Sequence, residues 1–332
     1  MSRVKLAIIL AMTGILFASL YLYSQLFSHN NKLPISPSSF TSCLTDNETP
    51  SFTIIKNLKA PNVGIVTITN KTTSARISSF QINNINSNYH NYEIHKCGFY
   101  ALREFNYDYT RGTILPGYRV ELWKYNYDGT GAKLSETDDF RISSNESFGA
   151  SLPFLHSPAE PSIYIENLEM LKEVFSLKLS EIAEQNPSIA GDIGFESGGW
   201  SEDGRYLWTT TFAEANTLGF IRIDSSDWSY QVFVAPQTTM GGDAFNPNTG
   251  MTTYRTNVAP WTGDTSLDQQ YKNQSAQSGK VTSFYIYNLL TKKNYLVATT
   301  TDPTYYYQPK WLSDTVLQYA LPNGATSTHK IK

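Results

Sequence analysis

The sequence predicts an all-β fold of small antiparallel sheets, preceded by one apolar N-terminal helix. Charged residues make up 17% of the 332-residue chain, against about 25% in an average soluble domain, and aromatic residues make up 14%. Apolar and polar residues alternate over many short stretches that end in turn residues, which is typical of β-strands. An uncharged, mostly apolar stretch covers residues 6–27. The residues after position 50 suffice for one large β domain or two smaller ones.

The apolar stretch predicts a transmembrane signal-anchor helix. At about 1.5 Å per residue it is long enough to cross the roughly 30 Å hydrocarbon core of a bilayer. Arg3 and Lys5 precede it and the next basic residue is Lys32, so the positive-inside rule predicts that residues 1–5 are cytoplasmic and that the rest of this single-pass chain is outside. A cleaved signal peptide, which would give a secreted protein, is the alternative. A buried core helix fits less well because the stretch is uniformly apolar.

A flexible stalk and one disulfide are predicted after this helix. Residues 28–50 include a stretch rich in Ser, Thr, Asn and Pro, whereas residues 51–332 are expected to form the extracytoplasmic domain. Cys43 and Cys97 are the only cysteines. In a translocated chain such a pair predicts a disulfide that ties the stalk to the first strands, although two unrelated buried thiols remain the alternative.

An internal repeat organises the domain. Residues 163–172 align with residues 284–293 without a gap and share Tyr, Ile, Asn, Leu and Lys. Each copy alternates into a turn and is followed by a second alternating run, so each predicts a hairpin. Similar hairpins are predicted at 120–134 and 220–234. Residues 166–185 also fit an amphipathic helix, but the repeat favours a strand through Leu179 and at most a short helix after it.

A second recurring element lies between the hairpins. It consists of a hydrophobic anchor, a short polar turn and an outgoing strand, and its clearest copy is Gly199–Trp208. The four anchors are spaced by about 58, 45 and 66 residues. A unit of three or four strands recurring every 40 to 60 residues predicts the blades of a β-propeller. The anchor and turn residues of the four copies are Ile142, Trp200, Asp203, Gly204, Phe245 and Trp311.

The segment Trp200–Leu207 resembles the W-S-x-D-G-[RK]-x-[LI] repeat of TolB-type and dipeptidyl-peptidase-type β-propellers. The other copies depart from it, because Asn145-Glu146 and Asn248-Thr249 replace Asp-Gly, and Asp314 lacks the following Gly. The resemblance covers roughly residues 140–332 and concerns the propeller only, without a hydrolase domain. It implies a fold more strongly than an activity, since the motif is structural.

The predicted propeller has about five blades, with four to six allowed. Residues 51–136 lack the anchor motif but contain strand-like runs that supply a further blade. The C-terminal fragment 306–332 is short for a blade, so an early strand is expected to complete it and close the ring. An incomplete propeller and two β-sandwiches are the alternatives.

The sequence contains no catalytic, cofactor or metal motif. The G-x-S-x-G nucleophile elbow, the P-loop and the dinucleotide fingerprint are absent. His90, His95 and Cys97 are close in sequence but lack a fourth ligand and a recognised zinc spacing. We therefore predict no catalytic residue, no cofactor and no metal site. A glycan-active propeller enzyme with paired carboxylates in the axial funnel is the alternative; its candidate acids are Glu196, Glu202, Asp203, Asp224, Asp227 and Asp243.

Two features are candidates for recognition. The polar insertion 260–280 lengthens one interval of the repeat, and long loops on rigid scaffolds often bind partners. A disordered excursion is the alternative. Tyr305–Tyr307 and the tryptophans at 123, 208, 228 and 261 would form an aromatic binding face or, as we favour, pack between blades.

The predicted function is a binding or scaffold module at the cell membrane. The net charge of −3 and the absence of a basic block argue against nucleic acid. The membrane itself, through the N-terminal helix, and a protein or glycan of the cell envelope are the expected partners. Catalysis is not expected, and a purely structural envelope protein is a third candidate.

Overall fold

The structure is a computed structural model. It describes residues 43, 50–56, 63–70, 72–85, 92–108, 111, 113–137, 139–152, 161–187, 194–213, 216–234, 244–259 and 264–331. The chain divides into residues 1–41 and residues 42–332, and all described residues belong to the second unit. The predicted cytoplasmic residues 1–5, the predicted transmembrane helix 6–27 and most of the stalk lie outside the described residues. Within the described ranges, no helix combines the length and the apolar character needed to span a bilayer.

The described strands form six antiparallel sheets that follow one another along the chain, and consecutive strands pair within each sheet. The first sheet contains β1 (Pro50–Lys56), β2 (Val63–Asn70) and β3 (Arg76–Asn83). The second contains β4 (Tyr92–His95), β5 (Gly98–Asp108), β6 (Thr113–Tyr125) and β7 (Gly131–Glu136). The third contains β8 (Phe140–Ile142), β9 (Phe148–Ser151), β10 (Ser162–Asn167) and β11 (Lys172–Lys178).

The last three sheets continue the same pattern. The fourth contains β12 (Gly194–Trp200), β13 (Tyr206–Ala213), β14 (Asn216–Asp224) and β15 (Tyr230–Phe233). The fifth contains β16 (Phe245–Asn246), β17 (Met251–Thr256), β18 (Thr282–Asn288) and β19 (Lys293–Thr300). The sixth contains β20 (Lys310–Ser313), β21 (Val316–Ala320) and β22 (Thr326–Lys330). Two helices are also described, α1 (Leu179–Gln185) and α2 (Thr265–Gln277).

The predicted hairpin repeat is confirmed, and both hairpins form because their turns make the same asparagine hydrogen bonds. In the turns that follow β10 and β18, the side-chain oxygens of Asn167 and Asn288 accept hydrogen bonds from backbone N–H groups two and three residues on, at 2.8–3.1 Å. The residue four positions on then has positive φ, 49° at Leu171 and 58° at Lys292. An asparagine side chain that mimics a backbone turn fixes each hairpin locally. The predicted hairpins at 120–134 and 220–234 are β6–β7 and β14–β15.

The strand count corrects two details of the prediction. The described residues form six sheets rather than about five, within the allowed four to six, because residues 50–136 make two sheets without the anchor motif. The expected completion of the last sheet by an early strand is wrong for the described residues, since β20–β22 pair only with one another and β1 pairs with β2. The ambiguous segment 166–185 is a strand through Lys178 followed by the short α1, as the repeat favoured.

The core lies between successive sheets. Each pair of consecutive sheets, from the first and second to the fifth and sixth, shares one apolar cluster. Both sheets of the pair contribute buried side chains to it. Burial of this apolar surface is the main favourable term for the stacking. Small meanders in chain order, each packed on its chain neighbour, are the arrangement that a β-propeller requires, so a propeller fits the described residues.

The sheets expose two different ends. In a meander the first and third connections lie at one end and the second at the other. First connections of neighbouring sheets touch, since the Ser144 hydroxyl donates to the Ser201 carbonyl (3.0 Å) and the Glu202 N–H donates to Asn248 Oδ1 (2.6 Å). We call this the turn end. The opposite, connection end carries the second connections and the links between sheets.

Candidate recognition surface

Two anchor turns at the turn end have the same geometry despite different sequences. In the turns that follow β8 and β12, the hydroxyls of Ser143 and Ser201 donate to Asn145 Oδ1 (2.8 Å) and Asp203 Oδ1 (2.5 Å). The same hydroxyls accept the N–H of the first residue of the outgoing strand, at 2.9 and 2.8 Å. Glu146, with φ of 54°, occupies the place of Gly204, with φ of 70°. The departure from Asp-Gly therefore leaves the turn intact.

The two tryptophan anchors attach their sheets to the preceding sheets. Trp200 Nε1–H donates to the carbonyl of Arg141, which precedes Ile142, at 3.1 Å. Trp311 Nε1–H donates to the carbonyl of Ala244, which precedes Phe245, at 3.2 Å. Each indole thus bonds to the backbone directly before an anchor of the preceding sheet. Trp200 and Trp311 thus connect neighbouring sheets, and Ile142 and Phe245 lie directly after the backbone that they bind.

A polar cluster surrounds the disulfide at the same end. Cys43 and Cys97 are bonded to each other, so they are not unrelated thiols. The Cys97 N–H donates to Glu146 Oε1 (2.5 Å), the Tyr100 hydroxyl donates to Oε2 (3.0 Å), and Lys124 Nζ lies 3.6 Å from the same oxygen. Burial lowers the pKa of Lys124, although Glu146 acts to raise it. This cluster holds the β4–β5 turn against the third sheet.

The candidate acids are engaged in turns. The Ser201 hydroxyl holds the pKa of Asp203 below its ordinary value, Arg205 does the same for Asp224, and Ser229 for Asp227. A general acid needs a raised pKa, so these groups are unsuited to that role. The side chains of Glu196 and Asp243 lie outside the described residues, and Glu202 is exposed.

Among the described acids with a clear pKa shift, Glu166 is the one whose pKa is raised, through burial and the nearby Glu173. These two residues face each other across β10 and β11 within one sheet.

The zinc candidates are not assembled in the described part of the chain. His95 Nε2 lies 2.9 Å from Glu93 Oε2, Cys97 is in the disulfide, and His90 lies outside the described residues. No group of three His, Cys, Asp or Glu residues in the described ranges is placed to hold a metal ion.

At the connection end, the residues that precede the insertion contact residues 303–306. The Ala259 N–H donates to the Pro303 carbonyl (3.0 Å), and Arg255 Nη1 donates to the Tyr305 carbonyl (2.8 Å). The Arg255 guanidinium also lies 5.3 Å from the centre of the Tyr306 ring. We call Tyr305–Tyr307 the tyrosine loop. The end of β17 and the tyrosine loop, about 50 positions apart in the sequence, therefore adjoin.

The insertion contains a helix rather than a structureless excursion. Asp264 caps α2 by accepting the N–H groups of Ser266 and Leu267 at 2.8 and 3.2 Å. No residue of α2 is buried, so no packing on the sheets explains its presence. Hydrogen bonds from Thr304 are the main cause of the lowered pKa of Asp302, and the charge of Lys272 in α2 lowers it further. Lys272 therefore lies near Asp302, which is three residues before the tyrosine loop.

Part of the predicted aromatic set packs between the sheets. Tyr307 and Trp208 are 0% and 1% exposed, and Trp228 lies 5.0 Å from the Phe148 ring. Burial raises the pKa of Tyr307 to about 12, and its hydroxyl has no hydrogen-bond partner among the described residues. Tyr305 and Tyr306 are half-buried and reach the surface, whereas Trp261 lies outside the described residues.

A second surface at the connection end was missed by sequence reasoning. β5 and β6 extend beyond their neighbours, so among the described strands residues 102–108 pair only with β6 and residues 113–120 pair only with β5. We call this extension the arginine ribbon. The Arg103 guanidinium lies 4.3 Å from the Trp123 ring and 5.0 Å from the Phe105 ring. The Arg119 guanidinium lies 4.4 Å from Phe105 on the other strand.

Glu121 at the base of this ladder is held by three donors. Burial acts to raise its pKa, but hydrogen bonds from Arg119, Trp123 and Lys133 outweigh burial and lower it. The sequence feature that could have predicted this surface is the alternate spacing of Arg103 and Phe105 on one strand and of Arg119, Glu121 and Trp123 on the other, because alternate residues of a strand share a face. This spacing predicts which side chains share a face, but it does not predict whether a neighbouring strand or sheet covers that face.

No protein-family model matches the chain, and no curated protein does. Among solved structures, the tricorn protease is 12% identical, with a TM-score of 0.48, over 85% of this chain and 28% of that one. TolB from Acinetobacter baumannii is 11% identical, with a TM-score of 0.41, over 87% of this chain and 63% of that one. Dipeptidyl peptidase 4 of Porphyromonas gingivalis is 11% identical, with a TM-score of 0.47, over 87% of this chain and 44% of that one.

Proteins of both types named in the sequence resemblance are thus among the similar structures. The chain spans less than two thirds of each. At these identities the likeness concerns the fold alone, and the description of this chain rests on its own six sheets.

Proposed function

We propose that the protein is a membrane-anchored, extracytoplasmic β-propeller that serves as a binding or scaffold module for a protein or glycan of the cell envelope. The observation that carries the binding role is the contact of Arg255 with the tyrosine loop at the connection end, where Lys272 of α2 lies close enough to Asp302 to act on its pKa. An exposed helix with no buried residue, placed beside half-buried tyrosines, supports recognition rather than packing.

The disulfide supports the extracytoplasmic location. Structural disulfides persist in oxidising compartments and are rare in the cytosol. Cys43 and Cys97 are bonded, and Cys43 follows the predicted anchor and lies within the predicted stalk.

A binder is favoured over a glycan-active enzyme by the state of the acids. Asp203, Asp224 and Asp227 have lowered pKa values because they accept hydrogen bonds within or beside turns. The Glu166 and Glu173 pair lies within a single sheet rather than across a cleft.

The topology is tested by protease treatment of intact cells or spheroplasts, followed by comparison of the membrane-bound product with the full-length chain. We expect a full-length, membrane-bound chain whose domain is cleaved from outside. A soluble chain shortened by the length of a signal peptide would contradict the anchor and favour the secreted alternative.

The recognition surface is tested by site-specific photo-crosslinking in cells. A photoreactive residue replaces Tyr271 of α2, which is 36% exposed, or, as the matched control at the turn end, Leu290, which is 45% exposed. We expect a discrete crosslinked product from position 271 that is lost in the Tyr306→Ala background. Equal crosslinking at both positions would contradict recognition at the connection end.

A further inference from the structure

Three turns of the domain have a glycine directly after an Asp or Asn whose side chain bonds to the turn backbone. The pairs are Asp128-Gly129, Asp203-Gly204 and Asn323-Gly324. In each turn, the side-chain oxygen accepts the N–H of the residue after the glycine, at 2.8–3.0 Å. Each glycine has positive φ, and its N–H donates to the carbonyl three positions earlier, at 2.8–3.0 Å. The three turns therefore share one geometry, and Asn323-Gly324 is the only Asn-Gly pair in the chain.

An asparagine that precedes a glycine can convert itself into an acid. The glycine nitrogen attacks the side-chain carbon Cγ, so that a C–N bond forms and the Cγ–Nδ2 bond breaks. The amide nitrogen leaves as ammonia together with the proton of the glycine N–H, and a succinimide ring remains. Water then opens the ring at one of its carbonyl groups. The products are aspartate and isoaspartate, in which the main chain runs through Cγ, and the reaction needs no reactant other than water.

The hydrogen bonds of the Asn323 turn act on this reaction in opposite directions. The Ala325 N–H donates to Asn323 Oδ1 at 3.0 Å. This oxygen gains negative charge when the Gly324 nitrogen attacks Cγ, so an N–H already directed at it stabilises the transition state. The Gly324 N–H, however, donates to the Leu321 carbonyl at 2.8 Å. The turn must therefore open before the Gly324 nitrogen can react.

The surroundings decide which of the three turns can open. A Cβ on Gly129 would lie 2.6 Å from Cβ of Phe80, and one on Gly204 would lie 2.9 Å from the Asn145 amide. Phe80 and Asn145 belong to the preceding sheets, so packing between sheets holds these two turns closed. Gly324 is exposed and has no described atom within 4 Å of an added Cβ. Opening its turn disturbs no neighbouring sheet.

The two Asp-Gly turns also have a less reactive side chain. A carboxylate forms the succinimide only from its protonated state, whereas the amide of Asn323 is neutral and needs no protonation. Hydrogen bonds from Thr130 and Ser201 lower the pKa values of Asp128 and Asp203. The protonated state of these two carboxyl groups is therefore rare near neutral pH. Both the surroundings and the leaving group distinguish Asn323 from its two counterparts.

We propose that Asn323 is a self-modification site, at which ring closure with Gly324 converts the folded protein into aspartate and isoaspartate forms. Isoaspartate inserts a backbone carbon into the turn between β21 and β22, and β22 pairs with no other described strand. The site lies at the connection end, three residues after Ala320, whose N–H donates to the Tyr307 carbonyl at 2.7 Å. The proposal does not depend on the proposed binding role.

The test incubates the folded full chain in oxygen-labelled water at neutral and mildly alkaline pH. Mass spectrometry of its peptides, with electron-based fragmentation, then distinguishes aspartate from isoaspartate. Asn145 is the internal control, because its Oδ1 likewise accepts the N–H of the residue two positions on, at 3.1 Å, but Glu146 follows it instead of glycine. We expect labelled aspartate and isoaspartate at position 323 to form several-fold faster than at position 145. Asp128 and Asp203 should form no isoaspartate in the folded chain.

A pair of glycine variants tests the role of Gly324. Gly324→Ala should slow the conversion of Asn323 several-fold, because the added Cβ obstructs the attacking nitrogen. Gly279→Ala, at another glycine with positive φ and open surroundings, should leave the rate at Asn323 unchanged. Hydrogen exchange of residues 326–330 should become faster in the isoaspartate form, since the longer turn weakens the pairing of β22.

Three results would overturn the proposal. The first is an Asn323 that stays intact in the folded chain and converts only after unfolding in urea, because the turn would then protect the amide. The second is an equal rate at positions 323 and 145, and the third is a rate at Asn323 that Gly324→Ala does not change. Isoaspartate at Asp128 and Asp203 that forms in urea but not in the folded chain would support the protective role of the neighbouring sheets.

Discussion

The turn end and the connection end of the sheets follow different rules. At the turn end the connections are short, repeat the same hydrogen bonds, and touch from sheet to sheet, as Ser143 and Ser201 show with their matching bonds to Asn145 and Asp203. At the connection end the connections differ in length and content, and α2 has no buried residue. Repetition therefore marks the residues that build the fold, and departures from repetition mark the candidate surfaces for binding.

The largest effect is expected from the anchors of the turn end. Trp200 is 8% exposed, donates to the Arg141 carbonyl and stacks near Phe148, so Trp200→Ala should lower the free energy of unfolding by about 3–5 kcal/mol. Trp311→Ala, at a half-buried anchor with the equivalent bond, should cost clearly less. Urea unfolding followed by circular dichroism measures both, and equal losses would show that the two anchors are not distinguished by burial.

The close approach of neighbouring turns is tested with glycines. A Cβ on Gly204, where φ is +70°, would lie 2.9 Å from the Asn145 amide, so Gly204→Ala should destabilise by about 1–3 kcal/mol. Gly279 at the connection end has φ of +66° and no described atom within 4 Å of an added Cβ. The loss of unfolding free energy in Gly279→Ala thus reports the backbone strain alone. The additional loss in Gly204→Ala measures the steric contact between neighbouring sheets. Identical losses would mean that the turns have room to separate.

The third prediction concerns acid. Because the Ser201 hydroxyl and the Arg205 N–H lower the pKa of Asp203 in the folded state, its stabilising contribution is present above the ordinary value of 3.8 and is lost as the pH falls through the folded pKa. In the matching turn the amide of Asn145 makes the same bonds and does not titrate. Asp203→Asn should therefore differ from the parent in urea midpoint near pH 7 and approach it as the pH falls below 3.8. A difference that stays constant with pH would contradict this role.

The smallest effect is expected at the connection end. Replacing α2 by a short glycine and serine linker removes no buried side chain, so the free energy of unfolding should change by less than about 0.5 kcal/mol. A large loss of stability would show that the helix belongs to the fold rather than to a binding surface.

Much of the fold was readable from local sequence. The shared asparagine of 163–172 and 284–293 directs a turn through its own side chain, so the repeat predicted the hairpins correctly. The first two sheets were harder to count because they lack the Trp-Ser-x-Asp-Gly motif. The Asn145-Glu146 turn reads as a weak copy, yet Glu146 adopts the positive φ and its carboxylate gains bonds to Cys97 and Tyr100 from another sheet.

The sequence by itself determined the all-β class, the hairpins and the anchor spacing, because alternation, turn chemistry and aromatic anchors act over a few residues. Only the tertiary structure decided that Arg255 meets the tyrosine loop, that α2 lies bare beside it, and that β5 and β6 extend beyond their neighbours. These facts depend on which strands end where and on contacts between residues about 50 positions apart, as from Arg255 to Tyr305. A local pattern places a side chain on a face, and the neighbouring sheet decides whether that face is covered.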